Sequence, residues 1–382
     1  TGVAAPKINA IATDNLINTA EKDAGVMVTG TAEAGSTITL TTSSGYSATA
    51  TTSGTTGTGN WSITIAKADI ESFGQGAETI TVVARDAAGN VSTPTSRTVT
   101  VDTTGPAKPT FALVTDTGSD STDGISSQGI IKVNGLEPGA KWEYTTNGTA
   151  GTPTWINGTG STFLLAAGTY ANGAVLVRQT DAAGNVATSD GFGKAITIDT
   201  TGVAAPKINA IATDNFINTV EKAAGVTITG KAEAGSAISL TSSSGYTATA
   251  TTDANGDWSI SVANPKTSFG EGNETITVVA RDAAGNVSTP SSRSFTVDTV
   301  IPGAPVITST AITTNNRNQS ITGTAEAGAT ITVLDGTTVV GTTTANATGA
   351  WAATVQLLDA QGAHAITATQ KDAAGNISPA SS

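Results

Sequence analysis

The side chains best suited to chemistry in this chain are carboxylates placed at turns. Asp86, Asp181, Asp282 and Asp372 each open an Asp-Ala-Ala-Gly-Asn pentapeptide, at 86–90, 181–185, 282–286 and 372–376. Asp102, Asp199 and Asp298 follow the first three copies in Val101-Asp-Thr, Ile198-Asp-Thr and Val297-Asp-Thr. A third set, Asp14, Asp116, Asp120, Asp123 and Asp214, lies in polar segments upstream, two of them as Asp14-Asn15 and Asp214-Asn215. Oxygen donors of this kind suit Ca²⁺, which takes roughly six to eight of them at about 2.4 Å. Zinc is disfavoured, because the chain has no cysteine and one histidine.

Catalysis finds no such support. His364 stands between Ala363 and Ala365 in a strand-like run, with no nucleophile or carboxylate at a meaningful spacing. There is no glycine-rich phosphate loop, His-Glu-x-x-His helix or Gly-x-Ser-x-Gly elbow, so the chain reads as a non-enzyme. A net charge of −12 and a pI near 4.4 favour cations and disfavour nucleic acid and anionic lipid. No apolar run is long enough to insert in a membrane. The sequence starts at Thr1 without a signal peptide and stops just after the fourth pentapeptide, and it reads as a segment of a longer protein.

The elements that must position these carboxylates follow from the repeat. Successive pentapeptides start 95, 101 and 90 residues apart, longer than a solenoid repeat and matching a small domain with its own core. Four domains are expected, at 1–102, 103–199, 200–298 and 299–382, the last without its final strand. The first and third are near duplicates: residues 1–11 match 201–211, and 80–94 match 276–290. Their main length difference, 53–60 against 253–257, marks a loop.

In the third domain the segments starting at Val226, Ala237, Tyr246, Trp258, Thr275 and Ser294 alternate at the two-residue strand period. Glu233-Ala-Gly, Ser244-Gly, Asn255-Gly-Asp and Glu271-Gly-Asn separate them as turns. With a first strand in 206–212, about seven strands result, the pattern of a two-sheet immunoglobulin-like sandwich. One helical turn is expected near 65–73, and no long amphipathic helix. Trp61, Trp258 and Trp351 occupy equivalent places and read as core anchors. The second domain differs, with Trp142, Tyr144 and Trp155 around a glycine-rich turn, and is the place where an aromatic could face a partner.

In a sandwich that the chain enters at one end and leaves at the other, alternate loops lie at opposite ends. The loop after the first strand then shares an end with the linker, and the pentapeptide of the next domain meets both. Three groups are expected: Asp14, Asp102 and Asp181; Asp116 with Asp120 or Asp123, Asp199 and Asp282; and Asp214, Asp298 and Asp372. Glu21 and Glu221 are additional candidates. Three carboxylates at close range repel unless a cation intervenes. The same residues also admit a metal-free reading, since Asp opening a turn and Gly-Asn closing it satisfy backbone geometry alone.

The motif Asp-Ala-Ala-Gly-Asn-(Val/Ile)-(Ser/Ala), the trailing (Val/Ile)-Asp-Thr, and Gly-(Thr/Lys)-Ala-Glu-Ala-Gly at 30–35, 230–235 and 323–328 resemble bacterial immunoglobulin-like repeats of giant non-fimbrial adhesins and biofilm-associated proteins. The second domain departs from the pattern with Leu136-Glu-Pro-Gly139. The resemblance implies all-β tandem sandwiches forming an elongated rod, with calcium at the junctions on the three groups above, in a protein secreted or held at the bacterial surface. Asn315-Asn316 replaces Asp-Asn in the last domain, and Asp86 lacks a preceding junction.

The expected function is thus a calcium-stiffened stalk for adhesion or biofilm formation, monomeric, whose partners are calcium and neighbouring domains of a longer chain. The rival expectation is direct binding of a host glycan or surface protein, centred on the second domain.

Overall fold

The computed structural model describes residues 2–263, 265–357 and 362–382. The chain divides into two compact units, Thr1–Asp116 with Ser121–Asp199, and Thr117–Asp120 with Thr200–Ser382. Both are built from small, mostly antiparallel sheets, and among the described residues four separate hydrophobic clusters occur, two within each unit. The immunoglobulin-like sandwich expected from strand periodicity is the observed architecture.

In the first unit, Lys7–Ile8, Val26–Glu33 and Thr58–Ile65 form one sheet. Leu16–Ile17, Thr95–Val101, Gly76–Arg85, Thr37–Thr42 and Ser47–Thr51 form the facing sheet in that order. Alternate residues of each strand enter the core, as in Ile80, Val82 and Ala84, which are fully buried. The second unit repeats this plan over Lys207–Val297. Two features go beyond the seven strands read from periodicity. A two-residue strand, Leu16–Ile17 or Phe216–Ile217, pairs in parallel with the last strand. It leads into a short helix, Thr19–Ala24 or Thr219–Ala224. Asn18 and Asn218 cap these helices with their side chains while Glu21 and Glu221 return the bond, a complete capping box each time. The helical turn expected near 65–73 is Lys67–Glu71.

The repeated tryptophans are core anchors, and their partner explains part of the Gly-(Thr/Lys)-Ala-Glu-Ala-Gly motif. Gly30, Gly230 and Gly323 lie directly across the ladder from Trp61, Trp258 and Trp351. A Cβ at Gly30 would stand 1.9 Å from the Lys7 carbonyl oxygen and 2.5 Å from the Trp61 ring, so only glycine leaves the indole its place. The segment 103–199 is a variant with three small sheets, in which Trp142 packs in the core beside Phe163. Among its described residues, the segment 299–382 has two three-stranded sheets.

Candidate functional site at the domain junctions

The pentapeptide turn builds itself. In all four copies the opening aspartate accepts the backbone N–H of the closing asparagine at 2.8 Å, and its other oxygen accepts the asparagine side-chain amide at 2.7–2.9 Å. The glycine between them has φ of 90–96° in every copy, the left-handed region that favours glycine. At Asp86 these bonds hold the carboxyl below its ordinary range, the Asn90 side-chain amide first. The turn is the same at Asp86, where Asn90 is exposed, and at Asp181, where Asn185 is buried. The aspartate therefore shapes the loop, as the metal-free reading requires.

What the loop delivers is the asparagine. Within the first unit, Asn185 is 5% exposed. Its Oδ1 accepts the Thr19 backbone N–H at 2.9 Å, at the start of the capped helix. Its Nδ2 donates to the Asp102 carbonyl at 2.9 Å as well as to Asp181. The Asn18 side-chain amide crosses to the Ala183 carbonyl at 3.0 Å. Thr19 Oγ1 lies 2.9 Å from Asn185 Oδ1 and 3.0 Å from the Thr103 carbonyl, its one proton serving either acceptor. Three chain segments, the helix start, the linker and the next pentapeptide, are thus tied through one carboxamide.

The second unit repeats the arrangement. Asn376, 4% exposed, accepts the Thr219 N–H at 2.8 Å and donates to the Asp298 carbonyl at 2.9 Å. A local difference lies in the linker's second support. Gln75 accepts the Thr103 N–H at 3.0 Å in the first unit, whereas Glu271 accepts the Thr299 N–H at 3.1 Å in the second. Glu271 also accepts the Thr299 hydroxyl and pairs with Lys222 at 2.8 Å. The Lys222 bond first, then the Thr299 hydroxyl, lowers its carboxyl to about 2.

The predicted carboxylates are distributed differently from the expected clusters. Asp102 Oδ1 accepts the Thr104 N–H at 3.1 Å, and Asp298 Oδ1 accepts the Val300 N–H at 3.1 Å, each beside a carbonyl held by the asparagine. Asp181 and Asp372 join them through that side chain. Asp14 and Asp214 are exposed and turned onto their own loops, accepting the Leu16 and Phe216 N–H groups at 2.9 Å. Those loops are tight: Ala12, Thr13 and Asn15 have φ of 49°, 67° and 68°. Among the described residues, no group of three or more His, Cys, Asp or Glu side chains converges to hold a metal.

In the first unit, Asp116 Oδ2 accepts the Gly124 N–H at 3.2 Å and Asp123 Oδ1 accepts the Ile125 N–H at 2.7 Å, close to where Asp199 donates its N–H to the Ser126 carbonyl. Asp116 Oδ1 is buried with no hydrogen-bond partner. A buried carboxylate oxygen without a donor is what a cation would satisfy, and oxygen is the donor type that calcium takes. Asp120 is exposed within the short segment assigned to the second unit, where Thr117 Oγ1 donates to the Ala284 carbonyl and Asp282 holds its own turn.

Periodicity did not reveal Asn185, Asn376, Asn18, Thr19, Asn218 or Thr219. A signal was present: Asn18-Thr-Ala-Glu21 and Asn218-Thr-Val-Glu221 have the capping-box spacing. In the second domain Trp142 is buried, Tyr144 stacks on Phe163 at 4.2 Å, and one face of Trp155 is covered by Arg178 at 4.2 Å. These rings are largely committed within the domain.

The sequence profile of the family described as bacterial Ig domain matches residues 12–101, 205–297 and 304–382. The chain belongs to this family, a non-catalytic module. Among solved structures, it is similar to a Ca²⁺-stabilised adhesin with which an Antarctic bacterium binds ice, at 28% identity over 100% of this chain and 97% of that one, TM-score 0.34. It is also similar to a tetra-tandem repeat from the extending region of a large adhesion protein, at 21% identity over 99% and 97%, TM-score 0.31. A bacterial immunoglobulin-like domain of the M. primoryensis ice-binding adhesin matches at 33% identity over 27% of this chain and 100% of that one, TM-score 0.21. No curated protein sequence matches the chain.

Proposed function

We propose that this chain is a stalk segment of a large adhesin, secreted or held at the bacterial surface, whose task is to hold consecutive domains in fixed relation and extend a binding region away from the cell. The observation that carries this reading is the asparagine lock, repeated at Asn185 and Asn376. A flexible string of binding modules has no need of a buried side chain tying helix, linker and next domain together; a stalk does. The domains proposed are 1–102, 103–199, 200–298 and 299–382.

Calcium is proposed as an added restraint. The orphaned Asp116 oxygen, with Asp123 and the linker residue Asp199, supports a site in the first unit. Asp102 with Asp181, and Asp298 with Asp372, supply oxygen donors where the lock already gathers the backbone, with Glu21 and Glu221 on the adjacent helices. The bound ion would neutralise carboxylates that otherwise repel.

Solution scattering on the whole chain tests the reading, comparing calcium with chelator and the parent with an Asn185→Ala/Asn376→Ala variant. The expected result is a shorter maximum dimension in the variant, and a further loss in chelator. An unchanged maximum dimension throughout would sink the stalk assignment.

A further inference from the structure

Asparagine followed by glycine occurs five times, at 134–135, 147–148, 157–158, 172–173 and 255–256. At such a step the glycine nitrogen can reach the asparagine Cγ, because glycine has no side chain to shield the approach. The five share this chemistry and differ in how the fold holds them.

Four are restrained. Gly148, Gly158 and Gly256 donate their N–H groups to the carbonyls of Ala174 at 2.8 Å, Trp142 at 2.9 Å and Asp253 at 3.0 Å. Asn147 is tied further, its Oδ1 accepting the Thr145 hydroxyl at 2.6 Å and the Thr154 N–H at 2.9 Å. Asn134 ends the strand Ile130–Asn134 opposite Thr110, and must leave that ladder before its extended backbone can fold the carboxamide onto the next nitrogen.

Asn172 and Gly173 are the exception. They are the central residues of a turn closed by the Ala174 N–H on the Ala171 carbonyl at 2.9 Å, with Gly173 at φ 78°. Asn172 is exposed, and among the described residues neither its carboxamide nor the Gly173 N–H takes a hydrogen bond. On its inner side the same turn is closely packed. A Cβ at Gly148 would stand 2.6 Å from the Gly173 carbonyl oxygen, and one at Gly191 would stand 3.4 Å from Gly173 Cα. Three loops of the segment 103–199 meet there through glycines, which leaves no room for a longer backbone.

We propose that Asn172 is a site of spontaneous self-modification. The Gly173 nitrogen gives its proton to hydroxide and forms a bond to Asn172 Cγ. The Cγ–Nδ2 bond breaks, and ammonia leaves with a proton from water, which regenerates the hydroxide and leaves a cyclic imide. Water then opens the imide at either carbonyl, giving aspartate or isoaspartate. Both add a negative charge, and isoaspartate also inserts a methylene into the main chain of the turn. The lengthened turn carries the Ala174 carbonyl away from the Gly148 N–H, so the loop that begins at Asn147 loosens as the protein ages.

The test incubates the full chain at mildly alkaline pH and follows each asparagine by peptide mass spectrometry, with fragmentation that separates isoaspartate from aspartate. Asn172 should convert about tenfold faster than Asn147, Asn157 and Asn255, the factor that one hydrogen bond on the attacking N–H supplies, and faster than Asn134. The lead should vanish in denaturant, where all five steps are equally free. Hydrogen exchange at the Gly148 amide should rise in step with isoaspartate and stay flat in Asn172→Ser. No lead in the folded chain, or a lead that persists in denaturant, overturns the assignment of the site. Gly148 exchange that stays flat as Asn172 converts, or rises equally in Asn172→Ser, overturns the loosening.

Discussion

Replacing Asn185 by alanine isolates the lock, because the chain carries its own control. Asn185 and Asn90 make the same two bonds to their pentapeptide aspartates, but only Asn185 also accepts from Thr19 and donates to the Asp102 carbonyl. Asn90→Ala removes one side-chain bond to Asp86 at an exposed site. Asn185→Ala removes the equivalent bond and two more that join segments far apart in sequence. A neutral hydrogen bond contributes about 0.5–1.5 kcal/mol net, so two contribute about 1–3 kcal/mol. Thr19 is exposed, so water reaches its N–H once the carboxamide is gone, and the middle of that range applies.

The assay is hydrogen exchange at the Thr19 amide, which reports opening of this junction rather than global unfolding. With about 2 kcal/mol lost, exchange should accelerate roughly 30-fold in Asn185→Ala. Asn90→Ala should leave it unchanged. Thr219 should respond to Asn376→Ala in the same way. Equal rates at Thr19 in Asn185→Ala and Asn90→Ala would refute the view that the asparagine, rather than the turn it closes, secures the junction.

Glu271 makes the second unit sensitive to acid. Its folded carboxyl sits at about 2 against 4.5, so its stabilising contribution is present above about pH 4.5 and lost as pH falls through about 2; amide exchange at Thr299 should rise over that window, and Glu271→Gln, which installs the residue found at Gln75, should abolish the rise. With its side chain 49% exposed, the effect should stay under about 1 kcal/mol. Asp116→Asn should remove most of any calcium-induced rise in thermal midpoint, yet in chelator be neutral or stabilising by about 1 kcal/mol, because it discharges a buried oxygen without a donor; a loss of stability in chelator equal to that in calcium contradicts a cation role. Gly230→Ala, whose Cβ would stand 2.0 Å from the Lys207 carbonyl oxygen and 2.4 Å from the Trp258 ring, should destabilise its domain by about 3 kcal/mol in denaturant titration, with a shift in tryptophan emission.

The sandwich was legible because its signal is local. Trp258-Ser-Ile-Ser-Val262 alternates strictly, and the side chains of Trp258, Ile260 and Val262 all go inward. The junction was legible only as a place. The acidic turns point to the right loops, since the chain's path brings the pentapeptide against the linker, but the group that ties the segments is the carboxamide at the other end of the same five residues. Charge stands out in a sequence, whereas the value of Asn185 depends on a carbonyl 83 residues away and an N–H 166 residues away. The short parallel strand Leu16–Ile17 was hidden for a similar reason: two residues carry no period, and their partner is the last strand of the domain.

The identity of residues 80–94 with 276–290 has a consequence for assembly of the chain. Identical strands can exchange between domains, giving swapped species that trap a multidomain protein during refolding. Here the two interchangeable copies are separated by the variant segment 103–199, whose sheets have a different strand order and offer no matching vacancy. As the chain folds domain by domain, each freshly formed hairpin meets a dissimilar neighbour first, and the nearest compatible donor lies far enough along the chain that its local concentration is diluted. Placing 200–298 directly after 1–102 should therefore raise the yield of swapped species on refolding, which size-exclusion chromatography would detect.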